Sequence, residues 1–97
     1  MRLEVLHVAD CPHLSVLLDR LAQAADHPVT TRLIETTADA EHYGMSGSPT
    51  LLVDGTDPFG PDGQPSLSCR LYRDEAGRPT PVPSVDQVRA AVTEDAG

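Results

Sequence analysis

The sequence predicts an α/β fold: a four-stranded mixed sheet with helices on both faces, spanning residues 1–97 as a single domain. Three observations predict it. A short apolar run, Leu3 to Val8, is followed by a leucine-faced helical segment and then a β-branched run, which makes a β-α-β unit. Two further short strand-like runs, Leu51-Leu52-Val53 and Leu67 to Arg73, flank a long loop. A capping box, Ser84-Val85-Asp86-Gln87, opens a last helix. The predicted order is β-α-β-α-β-β-α.

Each element has a local reason. Leu3 to Val8 is too short for a helix and suits a mostly buried strand. Pro12 to Ala25 reads as a helix, because Leu14, Leu17, Leu18 and Leu21 recur at i, i+3, i+4 and i+7. Asp26-His27-Pro28 breaks it. Val29 to Glu35 alternates and is β-branched, so it reads as a second strand, parallel to the first. Thr37 is placed to cap a short helix through Tyr43, which Gly44 ends. Ser48-Pro49-Thr50 opens the third strand, and Asp54-Gly55 closes it. Thr56 to Ser66 is a loop rich in Pro, Gly and Asp, of a length that is usually functional or mobile. Leu67 to Arg73 is a fourth strand, antiparallel to the third. Val85, Val88 and Val92 line the last helix, and Thr93 to Gly97 should fray.

Composition excludes several functions. A formal net charge of -8 argues against a nucleic-acid partner or an anionic membrane. The basic residues are all arginine, so lysine Schiff-base chemistry is excluded. No apolar run approaches a membrane span, and the N-terminus lacks a signal-peptide pattern, so the expected location is cytoplasmic. Two cysteines far apart do not make a secreted disulfide framework.

The chemistry centres on Asp10-Cys11-Pro12-His13-Leu14. This stretch joins the first strand to the first helix. A helix N-terminus has unpartnered N–H groups and partial positive charge, and both favour a thiolate. Pro12 suits the first helical position. His13 adds a charge or a hydrogen bond, or is simply solvated on the first turn. Asp10 opposes the thiolate if it lies close, or is an ordinary acid near a helix start.

Two motifs carry a resemblance to a known family. Cys11-Pro12-His13-Leu14 resembles the C-x-x-C motif of thioredoxin-like proteins, most closely the C-P-H-C of DsbA-type oxidases, with Leu14 in place of the second cysteine. Gly44-Met45-Ser46-Gly47-Ser48-Pro49-Thr50 resembles the segment before the third strand of that superfamily, where the proline is cis. The resemblance implies a thioredoxin-like fold. It also implies Cys11 as a catalytic thiol with His13 beside it, and a substrate groove formed by Pro12, Ser48, Pro49 and Thr50. The Ser48 backbone is then available to pair with a bound partner. Leu14 removes the usual resolving thiol, which leaves a monothiol mechanism as in single-cysteine glutaredoxins. The implied partners are a thiol-containing protein or a small thiol.

The whole chain is also similar to small bacterial thioredoxin-like proteins often labelled alkylmercury lyase. That resemblance implies binding or cleavage of organomercury, with Cys11, Cys69 and Asp10 imitating a lyase set of two cysteines and an aspartate. A degenerate, non-catalytic interaction module is the remaining alternative. Cys69 is the candidate second thiol. The expected antiparallel register puts it at the end of the sheet away from Cys11, whereas a disulfide needs Cα atoms within about 7 Å. It therefore reads as a core or strand-surface cysteine. No spacing matches a closed zinc site and no cofactor is expected, although Cys11, His13 and Cys69 could hold a soft metal if the fold converged them. Phe59 is a lid or, preferably, a loop anchor. His7 reads as a hydrogen-bonded core histidine.

Overall fold

A computed structural model describes residues 1–60 and 64–96. The chain runs β1 (Leu3–His7), α1 (Leu14–Ala24), β2 (Val29–Leu33), α2 (Thr37–Tyr43), β3 (Ser46–Ser48), β4 (Thr50–Val53), β5 (Ser66–Cys69), β6 (Tyr72–Arg73), β7 (Pro79–Thr80) and α3 (Val85–Ala96). The fold is mixed α/β. Strand β1 is central, with β2 parallel on one side, Leu3 opposite Val29, and β4 antiparallel on the other, Leu3 opposite Val53.

Strand alternation sorts side chains to two faces. Leu3 and Val5 of β1, with Leu51 and Val53 of β4, form one apolar cluster with Leu17 and Leu21 of α1 and Val88 and Val92 of α3. Leu6 and Leu52, from the opposite parity, pack with Ile34, Ala40 of α2 and Met45. Helices therefore cover both faces, as the periodicity predicts. Leu17 and Leu21 are fully buried, each worth about 1.5–3 kcal/mol of transfer free energy. Arg20 links α1 to the segment before α3, since its Nη1 donates to the Pro83 carbonyl at 2.8 Å.

Local capping follows chemistry. The Ser84 N–H donates to Gln87 Oε1 at 2.9 Å, and the Gln87 N–H donates to Ser84 Oγ at 3.1 Å, so the capping box is complete. Helix α3 continues to Ala96, so residues 93–96 remain helical where fraying was expected; Gly97 lies outside the described residues. Thr36, not Thr37, caps α2, because its Oγ1 accepts from the Asp39 N–H at 3.0 Å. Gly44 ends α2 with φ of 88°.

Among the described residues the expected four-stranded sheet is not formed. The sheets have three, two and two strands. The run Leu67 to Arg73 is split at Arg70–Leu71: β5 pairs parallel with β3, and β6 pairs antiparallel with β7. The physical reason is parity. Arg70 and Tyr72 both turn inward, and Leu71 between them is 63% exposed. Leu67 also faces apolar neighbours, which an uninterrupted strand could not combine with an inward Arg70. Beside β4, the Tyr72 hydroxyl donates to the Pro49 carbonyl at 2.6 Å, and the Val53 N–H donates to the Thr56 carbonyl at 2.8 Å. Residues 61–63 of the expected loop lie outside the described residues.

Candidate functional site

Strand β1 ends at His7, whose Nδ1 lies 3.0 Å from the Val8 carbonyl; the ring is hydrogen-bonded as expected, but half-buried rather than in the core. The chain then turns through Asp10, at φ of 57°, a left-handed conformation that Asp tolerates. The Leu14 N–H reaches the Cys11 carbonyl at 3.4 Å, and the first bond of the α-helical type runs from the Leu17 N–H to the His13 carbonyl at 3.1 Å. His13 is thus the cap residue of α1, without a side-chain capping bond. This corrects the expected helix start at Pro12. Pro12 instead occupies the second position of the Cys11–Leu14 turn, where its fixed φ is favoured. Cys11 sits two residues before the cap as a free, half-buried thiol.

The Ser48–Pro49 peptide bond is cis, as the sequence predicts. Ser48, Pro49 and Thr50 are all buried. The Val8 N–H donates to Ser48 Oγ at 3.1 Å, which fixes this segment against the strand end that leads to Cys11. Thr50 Oγ1 donates to the Gly47 carbonyl at 2.6 Å and accepts from Arg70 Nη1 at 3.3 Å.

Two expectations about this end of the molecule change. Cys69 does not sit on a strand antiparallel to β4. The parallel pairing of β3 and β5 sets it opposite Ser48, on the surface. The Ser48 carbonyl is also occupied, by the Arg70 N–H at 3.0 Å, so the edge expected to serve a bound partner is filled by the chain itself. Among the described residues, no cluster of three His, Cys, Asp or Glu side chains could hold a metal ion; Cys11, His13 and Cys69 do not converge into one.

Sequence reasoning missed a buried polar group behind the Ser48–Thr50 segment. Arg70 and Asp57 form a two-armed ion pair, Nη1 to Oδ2 at 2.5 Å and Nη2 to Oδ1 at 3.3 Å, with side chains only 8% and 6% exposed. Asp57 Oδ1 also accepts from the Phe59 N–H at 2.9 Å. Phe59 packs on the α1–α3 cluster and edge-to-face on Tyr72 at 5.4 Å, so it is a loop anchor. The Arg70 guanidinium stacks over the Tyr72 ring at 4.5 Å. Gly47 has φ of 99°, and a Cβ there would fall 2.8 Å from Arg70 Cβ, so only glycine lets these two backbones approach.

Comparison with known protein families, curated proteins and solved structures finds no match to this chain.

The Tyr72 phenol lies beside the buried ion pair. Burial pushes its pKa well above the ordinary value of 10.0. Arg70 and a bond from the Leu51 N–H oppose that shift, while the charges of Asp57 and Cys11 add to it. The Tyr72 hydroxyl donates to the Pro49 carbonyl. Beside the loop that carries Cys11 lies a cavity of about 350 Å³ lined by Val8, Ala9, Ile34, Glu35 and Leu67. Another, of about 520 Å³, lies at the opposite end of β1, around Arg2 and Glu4. No described helix is long and apolar enough to cross a membrane.

Proposed function

We propose that the chain is a thioredoxin-like thiol-exchange protein with one reactive thiol, Cys11. The Cys11 thiolate attacks a disulfide sulfur, forms a mixed disulfide and expels the other half as a thiolate. A second thiol then attacks the mixed disulfide and restores Cys11. The observation that carries this reading is the bond from the Val8 N–H to Ser48 Oγ. It brings the Ser48-Pro49-Thr50 segment and the strand end before Cys11 to one place. His13, the cap residue of α1 two residues after Cys11, is the proposed group that tunes the thiol. Pro12, exposed in the Cys11–Leu14 turn, is the groove residue proposed to meet the partner, while Ser48, Pro49 and Thr50 are buried. Two free cysteines suit a reducing compartment, and the cytoplasm is the proposed location.

The test is disulfide labelling followed by intact mass. A mixed disulfide is expected in the Cys69→Ser protein and not in the Cys11→Ser protein. Insulin reduction with a dithiol reductant is expected to be weak, because Leu14 supplies no resolving thiol. An adduct on Cys69 alone overturns the reading and leaves the non-catalytic module.

A second reading is favoured by the register of β5. Cys69 pairs opposite Ser48, whose Oγ accepts from the N–H of Val8, three residues before Cys11. Both thiols would then engage a thiophilic metal or an organomercurial. Phenylmercury released as benzene over several turnovers, and lost in both Cys11→Ser and Cys69→Ser, supports this reading. One equivalent bound and lost only in Cys11→Ser supports the first.

A further inference from the structure

The edge at Ser48 bears on what Cys11 reacts with. Strand β5 fills it: the Ser66 N–H donates to the Met45 carbonyl at 3.1 Å and the Arg70 N–H to the Ser48 carbonyl at 3.0 Å. Arg70 is then fixed by its buried pair with Asp57. A polypeptide adding as a strand at Ser48 would have to strip these bonds and expose an ion pair. Removing one partner of such a pair is costly, and so is dislodging both into a new arrangement.

What stays open is the cavity of about 350 Å³ that ends at Ala9, two residues before Cys11. That volume suits a small molecule. Its walls are Val8, Ala9, Ile34 and Leu67, and its one charged lining residue is Glu35. Asp10, exposed, immediately precedes Cys11 in the chain. Arg70 is committed to Asp57. The whole chain carries a net charge of -8. Apolar walls with a carboxylate at the rim, in an anionic protein, favour a cation.

We propose that the exchange partner of Cys11 is a small cationic disulfide, with an apolar chain in the cavity and an ammonium group at Glu35. This rests on Cys11 being the reactive thiol. The step balances: the Cys11 thiolate forms one S–S bond, the disulfide loses its own S–S bond, and the expelled thiolate takes a proton from water. The disulfide is the oxidant, and half of it leaves reduced.

The experiment uses the Cys69→Ser chain, so that one thiol reports. Mixed-disulfide formation is timed with cystamine, 2-hydroxyethyl disulfide and oxidised glutathione. Each rate is divided by the rate of the same reagent with a neutral free thiol. The normalised preference for cystamine over oxidised glutathione is expected to be about tenfold at low salt. It should shrink as salt rises, and by about threefold in Glu35→Gln. Equal normalised rates, or a preference for glutathione, overturn the proposal. So does a cystamine preference that Glu35→Gln leaves unchanged. No reaction with any of the three overturns Cys11 as the reactive thiol, a separate failure.

Discussion

The two halves of this chain are held by different chemistry. From Leu3 to Tyr43, backbone ladders and leucine faces do the joining: β1 and β2 pair over their whole length, and α1 buries Leu17 and Leu21. From Met45 to Pro83, the strands have four residues or fewer, and polar side chains connect them. Tyr72 bonds the Pro49 carbonyl, Arg70 bonds Asp57 and Thr50, and Ser48 bonds Val8. The first half presents Cys11 at a strand end. The second half builds the wall beside it. A wall of buried polar links is specific but sensitive, because losing one partner leaves another polar group buried without it.

That contrast can be broken most sharply at Asp57. Asp57→Ala leaves Arg70 buried and unpaired, and is expected to cost on the order of 3–5 kcal/mol in urea unfolding. The exposed pair in the first half gives the control. Arg32 Nε lies 3.3 Å from Glu4 Oε2, with the arginine 45% exposed. Glu4→Gln is expected to cost under about 1 kcal/mol. Similar losses at both sites would erase the distinction between the halves.

Tyr72→Phe comes next. It strips the bond to the Pro49 carbonyl and is expected to cost about 1–3 kcal/mol. It also carries a pH signature. Burial raises the folded-state pKa of the phenol above the ordinary 10.0. Above that value the unfolded chain loses a proton that the folded chain keeps, so stability falls as pH rises. Below it the phenol is neutral in both states and contributes no slope. The chain has no lysine to mask this window. Unfolding midpoints should therefore drop between about pH 9 and 11 in the parent and drop less in Tyr72→Phe. Parallel profiles would mean that Tyr72 ionises as freely folded as unfolded.

The same contrast explains what the sequence disclosed. Leu14, Leu17, Leu18 and Leu21 announce α1 because a helix face repeats locally. Ser84 and Gln87 announce α3 because both partners of the capping box lie within one turn. The pairing of Ser48 with Cys69 carries no such local mark. The run from Leu67 to Arg73 looked like one strand because each residue suits a strand. Only the partners of Arg70 and Tyr72, Asp57 and Pro49, force the break, and those contacts span 13 and 23 residues. The one legible hint was the mismatch between an apolar Leu67 and an apolar Tyr72, which an alternating strand cannot put on one face. Of the candidate site, the cis Ser48–Pro49 bond and its closeness to the Cys11 strand end were legible. The occupied edge at Ser48 was not.

The central claim is that Cys11 is the reactive thiol, and competition between the two cysteines tests it most directly. Exposure alone favours Cys69, which lies on the surface while Cys11 is half-buried. Substoichiometric iodoacetamide at neutral pH, followed by peptide mass analysis, gives the ratio of labelling at the two sites. A denatured sample supplies the ratio without a fold. The account predicts that Cys11 is labelled about tenfold faster than Cys69 in the folded chain and that the two converge on denaturation. Faster labelling of Cys69 in the folded chain, or a ratio that denaturation leaves unchanged, would contradict it.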